Sequence, residues 1–258
     1  MKAVILCGGY GTRLKDETEY RPKPLVEIGG MPILWHIMKI YSSYGVKEFI
    51  LCLGYKGNMI KEYFLNFEEL ANNFTLHLRS KKSKIIHHNK SILEDWIIHF
   101  VDTGLDTQTG GRIAKVKFLL ENDDTFFLTY GDGVSNINIT NLHNFHLKKK
   151  KILTLTAVQP QSPFGIIDID NNVVTSFNEK PKLEGRINGG FFVCNKKLFD
   201  YVAPDKDCIF EIEPLEKLTK DKQIAAYVFD GFWYAMDNQK HVDELNRMWN
   251  TNPLWKVW

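Results

Sequence analysis

The feature that most constrains the fold is a short apolar run that leads directly into a glycine loop. Residues 3–7 are all apolar, and Gly8-Gly9-Tyr10-Gly11 follows without a spacer. A run of this kind is typical of a strand buried on both faces of a parallel sheet. Glycines at its end let the backbone turn tightly and bring amide N–H groups close to an anion. The pattern predicts an α/β fold with a ligand loop at the end of its first strand.

Strand-like and helix-like stretches alternate through much of the remaining sequence. A helix is expected from Pro32, which the first helical turn accepts, to residue 44, and Gly45 ends it. Apolar runs at residues 46–53 and 125–129 predict further buried strands. This alternation favours a mixed, mostly parallel sheet with helices on its faces.

The second half of the sequence carries a hairpin signal. Residues 165–170 and 173–177 are strand-like, and Asn171-Asn172 separates them. Asn tolerates left-handed backbone angles, so this stretch predicts a tight turn between two strands. The 258 residues contain no internal repeat and no low-complexity linker. We therefore expect one domain, residues 1–258.

Composition and charge exclude several classes of protein. The sequence has 33 Lys and Arg against 31 Asp and Glu, and a net charge of +2 argues against nucleic acid as the main partner. No apolar run approaches the ~18–20 residues of a membrane span. The four cysteines form no Cys-x-x-Cys pair, so the usual zinc and redox spacings are absent. With no signal peptide recognised, we expect a cytoplasmic protein without a membrane partner.

The basic residues after the glycine loop distinguish between kinds of phosphate site. In a dinucleotide-binding fingerprint the third glycine would fall at Leu14, and an acidic residue would end the strand at residues 46–53. Neither is present, and no Gly-Lys-Ser/Thr follows to make a P-loop. Arg13 and Lys23 are present instead, and a forked guanidinium with an ammonium suits a polyphosphate. The alternative is a glycine turn with two solvated cations.

Two aspartates are candidate metal ligands. Asp132 lies between Gly131 and Gly133, just after a predicted strand, and Asp237 ends an aromatic stretch. Magnesium prefers one or two carboxylates together with phosphate oxygens and water. Taken singly, each aspartate could equally cap a helix or stabilise a turn.

Several motifs occur in order along the chain. They are Leu6-Cys7-Gly8-Gly9-Tyr10-Gly11-Thr12-Arg13-Leu14, Lys23-Pro24-Leu25-Val26, Tyr130-Gly131-Asp132-Gly133, Glu179-Lys180-Pro181 and Asn188-Gly189-Gly190-Phe191. This set resembles the sugar-1-phosphate nucleotidylyltransferases. Further stretches, among them Thr109-Gly110-Gly111-Arg112 and Trp255-Lys256-Val257-Trp258, resemble the subgroup of cytidylyltransferases that use glucose 1-phosphate.

The resemblance implies a fold, a reaction and a set of site residues. The implied fold is a Rossmann-like nucleotidyltransferase fold with a small β elaboration on the acceptor side. Its nucleotide-binding half would span about residues 1–150, and its acceptor-binding half, with the C-terminal helix and tail, about residues 151–258. The implied reaction is the Mg²⁺-dependent conversion of CTP and α-D-glucose 1-phosphate to CDP-glucose and pyrophosphate, for surface polysaccharide synthesis.

The resemblance also assigns roles to individual residues. The implied nucleotide contacts are Leu6, Cys7, Gly8, Gly9, Tyr10, Gly11, Thr12, Arg13, Lys23, Thr107, Arg112 and Gly131. Lys23 and Arg112 would reach the phosphates. The implied metal ligands are Asp132 and Asp237, the implied acceptor contacts are Glu179, Lys180 and Asn188, and the implied catalytic residues are Arg13, Lys23 and Asp132.

The chemistry of such a transfer needs no nucleophilic side chain. The phosphate oxygen of the acceptor is ionised at neutral pH, so it can attack without a general base. Catalysis then consists of positioning and of charge stabilisation at the α-phosphorus. The absence of a Ser-His-Asp arrangement or a cysteine nucleophile agrees with direct displacement.

The sequence allows alternatives for the acceptor, for the activity and for the assembly state. Departures from the subgroup, such as Phe210 in place of the usual Trp, fall near the acceptor half. The alternative is therefore cytidylyl transfer to another sugar phosphate or to phosphorylated glutamine, for polysaccharide or capsule decoration. A non-catalytic nucleotide sensor is disfavoured, because it need not keep metal ligands. We expect a homo-oligomer that buries the apolar tail, residues 253–258, between copies; folding of the tail onto its own chain is the alternative.

Overall fold

The computed structural model describes residues 1–78, 84–88, 94–162 and 164–258. Its strands are β1 Lys2–Leu6, β2 Glu27–Ile28, β3 Met31–Pro32, β4 Glu48–Leu53, β5 Phe74–His77, β6 Lys84–His87, β7 Ile97–Asp102, β8 Thr125–Tyr130, β9 Gly133–Ser135, β10 Leu153–Val158, β11 Ile166–Asp170, β12 Val173–Asn178, β13 Ile187–Asn188, β14 Phe192–Asn195, β15 Ile224–Phe229 and β16 Trp233–Ala235. Its α-helices are α1 Lys15–Thr18, α2 Ile33–Ser43, α3 Gly57–Leu65, α4 Phe67–Ala71, α5 Thr109–Lys115, α6 Ile139–Lys149, α7 Glu213–Lys220 and α8 Gln239–Thr251.

The central sheet is mixed and mostly parallel. Strands β8, β1, β4 and β7 lie side by side in that order and are parallel to one another. Strand β14 joins β8 antiparallel, β10 joins both β14 and β13 antiparallel, and β15 joins β10 parallel. The predicted fold class is confirmed. Because the four parallel strands end at one edge of the sheet, the loops that follow them meet there.

The first strand is buried on both faces, as its all-apolar sequence predicts. Ala3 and Ile5 pack into a core with residues of α2, α6 and α8. Val4 and Leu6 face the opposite side, where they pack with residues of α5 and α7. The alternation of side chains along a strand therefore supplies both layers of helices with a core surface.

Local predictions agree with the elements that form. The helix expected at residues 32–44 is α2, Ile33–Ser43, and the strands expected at 46–53 and 125–129 are β4 and β8. Strands β11 and β12 form the expected antiparallel hairpin. Its turn residues, Asn171 and Asn172, have φ angles of 47° and 65°. Among the described residues, no helix combines the length and apolar character that crossing a lipid bilayer requires.

The C-terminal tail packs on its own chain. Trp255 is fully buried, and its ring lies 5.9 Å from Phe232, 6.0 Å from His36 and 6.1 Å from Trp249. The expectation that the tail is buried between copies is therefore wrong for Trp255. The ring of Trp249 on α8 also contacts His36 on α2. Aromatic rings of the same chain therefore cover Trp255. The homo-oligomer stays a prediction, without this support.

Candidate active site

A cavity of about 540 Å³ opens at the edge where the parallel strands end. We call it the glycine-loop cavity, because residues 6–13 after β1 form one wall. Residues 105–109 after β7 and 130–132 after β8 form the others. The site residues predicted from the sequence that line it are Leu6, Cys7, Gly8, Gly9, Tyr10, Gly11, Thr12, Arg13, Lys23, Thr107, Arg112, Gly131 and Asp132. The structure thus brings together every residue expected at the nucleotide.

Four of the residues that line this cavity are glycines, which offer only backbone to its wall: Gly8, Gly9, Gly11 and Gly131. Gly11 has a φ angle of 66°, a left-handed conformation that favours glycine, and it caps the short 3-10 helix that carries Arg13. A Cβ atom on Gly131 would lie 2.8 Å from the carbonyl oxygen of Leu6. The glycines therefore allow a close approach of two loops, and glycine backbone can come close to an anion.

Arg112 lies beneath the glycine loop and is only 4% exposed. Its two terminal nitrogens lie 2.7–3.1 Å from five protein oxygens, on Gly8, Leu53, Thr103, Gly104 and Leu105. These residues lie at the end of β4 and in the loops that follow β1 and β7, and Nη1 of Arg112 also lies close to Gly54, the first residue after β4. A Cβ atom on Gly8 would lie 2.1 Å from Nη1 of Arg112, so the loop fits closely over the guanidinium. One buried cation thus ties three loops of the cavity together.

The cysteines near the site are buried thiols. Cys7 lines the glycine-loop cavity, but burial raises the pKa of its thiol well above the usual value. Burial also raises the pKa of Cys52 to about 12. Since the thiolate is the nucleophilic form, neither group is suited to covalent catalysis. This agrees with the sequence-based expectation of direct displacement.

Four charged side chains meet at the mouth of the glycine-loop cavity. Nζ of Lys23 lies 2.6 Å from Oδ2 of Asp132 and 3.0 Å from Oδ1 of Asp237. Nη2 of Arg13 also lies 3.0 Å from Oδ1 of Asp237. We call these four residues the charge cluster. Lys23 is buried, so its ammonium is held in place. The side chain of Arg13 reaches toward solvent and has room to move.

A second cavity, of about 310 Å³, shares the charge cluster. We call it the Asn188 cavity, since Asn188 is the predicted acceptor residue that lines it. Its other walls include Tyr130, Glu211 and Trp233. Arg13, Asp132 and Asp237 line it as well. The charge cluster therefore lies where the two cavities meet.

Two predicted acceptor residues lie further out. Lys180 lines a third cavity, of about 520 Å³, which shares Trp233 and Asp237 with the Asn188 cavity. The residue has a φ angle of 48°. Glu179 lies next to it, with Oε1 3.9 Å from Nζ of Lys180 and a side chain that is 61% exposed. The structure brings Asn188 to the charge cluster but leaves Glu179 at the surface.

Comparison with known proteins identifies the family. A model of the nucleotidyl transferase family matches residues 2–248. The chain belongs to this family. As a nucleotidyl transferase, it is expected to bring a nucleoside triphosphate and an acceptor together, which two cavities around one charge cluster allow.

Two relatives and one solved structure are similar to this chain over nearly its whole length. The chain is 49% identical to a Bacillus subtilis protein named "Probable glucose-1-phosphate cytidylyltransferase" and 45% identical to the Salmonella typhimurium glucose-1-phosphate cytidylyltransferase. Both matches cover 100% of each chain. The UDP-glucose pyrophosphorylase from Acinetobacter baumanii superposes with a TM-score of 0.70 and 14% identity, over 98% of this chain and 95% of that one. At that identity the likeness concerns the fold alone.

The charge cluster has donors that fit a divalent cation, which nucleotidyl transferases usually use. Asp132 and Asp237 both direct a carboxylate oxygen at the ammonium of Lys23, so the two groups converge on a cationic point. No group of three or more metal-ligating side chains occurs in the described part of the chain. A pair of carboxylates agrees with magnesium, which takes its other ligands from phosphates and water.

The structure adds site residues that were not selected from the sequence. Tyr130 and Glu211 line the Asn188 cavity, and their side chains are hydrogen bonded to each other. Tyr130 precedes Gly131-Asp132 in a quoted motif, which was an available signal. Glu211 had none, since it lies far from the motifs in sequence and reaches the site only through folding.

Proposed function

We propose that this nucleotidyl transferase converts CTP and α-D-glucose 1-phosphate to CDP-glucose and pyrophosphate. The observation that carries this proposal is 45–49% identity, over the full length, to relatives whose names state glucose-1-phosphate cytidylyltransferase. The geometry supports it, because two cavities of unequal size meet at a cluster of cations and carboxylates. The glycine-loop cavity would hold CTP, and the Asn188 cavity would hold the sugar phosphate.

The reaction is a direct displacement at the α-phosphorus of CTP. An ionised phosphate oxygen of glucose 1-phosphate attacks and forms a new P–O bond, while the bond between the α-phosphorus and the bridging oxygen breaks. The electron pair of that bond leaves with pyrophosphate. The attacking oxygen has no proton to lose at neutral pH, so no general base is required. The protein supplies alignment and charge stabilisation.

The cations have distinct roles in this proposal. Lys23 is held between two carboxylates at the junction of the cavities, where it offsets charge on the reacting phosphates. Arg13 is exposed and can turn from Asp237 toward the departing pyrophosphate. Lys180 and Glu179 would approach the acceptor from the outer cavity, and Asn188 from the inner one. Arg112 acts differently, by holding the glycine loop, since its terminal nitrogens already have protein partners.

Asp132 and Asp237 would hold Mg²⁺ when it is bound. The ion would reduce repulsion between the two polyanionic substrates and stabilise charge on the transferring group. Because Lys23 contacts the same two carboxylates, its ammonium group must shift or share them when the ion binds. The chain's own contribution is to aim both carboxylates at one point.

A panel of acceptors tests the function. The full chain is incubated with Mg²⁺, CTP and one phosphorylated acceptor, and pyrophosphate release is measured. The acceptors are glucose 1-phosphate, other hexose 1-phosphates and phosphorylated glutamine, with Asp132→Asn as the inactive control. The proposal predicts the fastest release with glucose 1-phosphate and a product with the mass of CDP-glucose.

Each other result corrects a different part of the proposal. Release with phosphorylated glutamine but not with glucose 1-phosphate would keep cytidylyl transfer and change the acceptor. No release with any acceptor, from a folded chain that binds CTP, would favour a nucleotide sensor. Exchange of labelled pyrophosphate into CTP without an acceptor would contradict direct displacement, because it requires a nucleotidyl-enzyme intermediate.

A further inference from the structure

A segment of residues 205–211 leads from the start of α5 to the Asn188 cavity, which Glu211 lines. It packs on the N-terminal end of α5, which lines the glycine-loop cavity. The backbone N–H of Gln108 donates to the carbonyl of Lys206 at 2.7 Å, and that of Gly111 to the carbonyl of Cys208 at 3.1 Å. A Cβ atom on Gly111 would lie 2.2 Å from the carbonyl oxygen of Asp205. The glycine therefore allows α5 to sit directly on this segment.

Glu211 ends the segment and links the two cavities. Its Oε2 accepts a hydrogen bond from the hydroxyl of Thr109 at 2.6 Å, and its Oε1 accepts one from the hydroxyl of Tyr130 at 2.6 Å. Thr109 lines the glycine-loop cavity, Glu211 lines the Asn188 cavity, and Tyr130 lines both. The carboxylate of Glu211 thus binds one side chain of the glycine-loop cavity, Thr109, and one side chain that lines both cavities, Tyr130.

The hydrogen bonds around Glu211 have a fixed direction. A carboxylate accepts and does not donate, so both hydroxyl protons must point at it. The oxygen of Tyr130 is then free to accept, and Nδ2 of Asn188 lies 3.3 Å away as its donor. Oδ1 of Asn188 accepts from the backbone N–H of Gly190 at 3.0 Å, which settles the orientation of the amide. Burial and the nearby Glu211 carboxylate raise the pKa of Tyr130, so its hydroxyl keeps the proton.

A second series of hydrogen bonds joins Glu211 to helix α5. The hydroxyl oxygen of Thr109 accepts a hydrogen bond from the backbone N–H of Phe210 at 2.9 Å. Its proton is donated to Glu211, so both its donor and this acceptor function are used. Thr109 is the first residue of α5, the helix that carries Arg112. Glu211 therefore bears on the acceptor residue Asn188 through Tyr130, and on the nucleotide wall through Thr109.

We propose that Glu211 is a positioning residue that sets the orientation of Asn188 in one cavity and of the α5 N-terminus in the other. The inference rests on the proposed function, in which the two cavities hold the two substrates. Displacement needs the acceptor oxygen in line with the α-phosphorus, and errors in either wall would spoil that alignment. Because both walls contact the single carboxylate of Glu211, it fixes their positions relative to each other.

Glu211→Gln keeps the shape of the side chain but reverses one hydrogen bond. The new amide N–H₂ faces one of the two hydroxyls, and that hydroxyl loses its acceptor. We expect the dissociation constant of the acceptor to rise about 10-fold and that of CTP about 3-fold, the size of a disturbed buried hydrogen bond. We expect KM for the acceptor to rise by a larger factor than kcat falls, since Glu211 does not contact the reacting atoms.

Variants of the two hydroxyls separate the branches. Tyr130→Phe should weaken acceptor binding more than CTP binding, and Thr109→Val should weaken CTP binding more than acceptor binding. Because Tyr130 and Glu211 act in one chain of hydrogen bonds, the double variant should bind the acceptor no more weakly than Glu211→Gln. The matched controls are Glu213→Gln, an exposed carboxylate paired with Lys217 on α7, and Tyr201→Phe, whose hydroxyl donates to Asp221 outside the site. Both controls should leave the two affinities unchanged.

The measurement is calorimetric titration of each variant with CTP and, separately, with the acceptor that supports pyrophosphate release in the panel. This choice separates the two proposals: if glucose 1-phosphate is the wrong acceptor, the titrations still test the link. Unchanged affinities in Glu211→Gln, or acceptor effects that multiply in the double variant, would overturn the inference. If Glu211→Gln fails to fold, the hydroxyl variants still decide, since equal weakening of both ligands by Tyr130→Phe contradicts two separate branches.

Discussion

The glycine-loop cavity and the Asn188 cavity share a charge cluster, but they are built from different parts of the chain. The consecutive residues 6–13, which include three glycines, line the first, with the buried guanidinium of Arg112 beneath the loop. Side chains from β8, β13, β16 and the 205–211 segment form much of the second. A backbone wall can bind a feature common to all nucleotides, such as a polyphosphate, whereas a side-chain wall can be altered one residue at a time. The difference predicts that nucleotide binding depends on the scaffold and that acceptor choice depends on individual side chains.

The largest effect is expected where the cavities meet. Asp237→Asn removes one of two carboxylates that converge on a cation, so kcat with Mg²⁺ should fall on the order of 10³-fold. Asp124→Asn, which removes an exposed carboxylate paired with Lys196, is the matched control. Steady-state rates and Mg²⁺ titration by calorimetry check this. A variant that binds Mg²⁺ as the parent does would show that Asp237 is not a ligand.

Lys23→Met should have the next largest effect. It keeps a long side chain but removes the ammonium between Asp132 and Asp237, which leaves only Arg13 as a cation beside the two carboxylates. We expect kcat to fall about 10²-fold while the KM of each substrate changes less, because the charge acts mainly in the transition state. The check is a full kinetic analysis with both substrates varied. Near-normal turnover at saturating substrate would contradict the role of Lys23.

Arg112→Lys should affect CTP binding in the glycine-loop cavity more than acceptor binding in the Asn188 cavity. Lysine cannot reproduce the forked contacts to five oxygens, so the end of β4 and the loops after β1 and β7 lose their common donor. We expect the KM for CTP to rise about 10-fold, with a lower melting temperature and little change in the KM of the acceptor. Arg186→Lys, which changes a surface arginine paired with Asp230, is the control. A rise in KM for the acceptor alone would contradict the role of Arg112 in the glycine-loop cavity.

The smallest effect is expected at the rim of the glycine-loop cavity. The hydroxyl of Tyr10 donates to Oδ1 of Asp106 at 2.7 Å and joins the glycine loop to the segment after β7. Because the pair is exposed, Tyr10→Phe should raise the KM for CTP only about 2- to 3-fold. Titration with CTP measures this. A change as large as that of Arg112→Lys would mean that the rim, rather than the buried guanidinium, holds the loop.

Local features of the glycine-loop cavity could be predicted from the sequence. The buried strand, the glycine loop and the Asn171-Asn172 hairpin are local features, because backbone angles and burial depend on neighbours in sequence. The local sequence therefore predicts the strand and the glycine loop, whereas cavity residues from distant loops, such as Thr107 and Arg112, were expected only from the family resemblance. It does not predict the contacts of Arg112, because five acceptors come together only when three loops are in place.

The acceptor side depends on contacts between residues distant in sequence. Glu211 meets Thr109 and Tyr130 across 102 and 81 residues of sequence, and no local pattern reports such a pairing. The tail shows the same limit. Its apolar composition predicts that Trp255 is buried, but the partners, on α2 and α8 of the same chain, follow from tertiary packing alone.

Cytidylyl transfer to glucose 1-phosphate at the junction of the two cavities can be measured by product analysis. The full chain is incubated with Mg²⁺, glucose 1-phosphate and equal concentrations of CTP and UTP. The predicted result is CDP-glucose with one pyrophosphate per product and little UDP-glucose. Equal amounts of the two sugar nucleotides would contradict the assignment of CTP, and neither product, from a chain that binds CTP, would contradict the transfer itself.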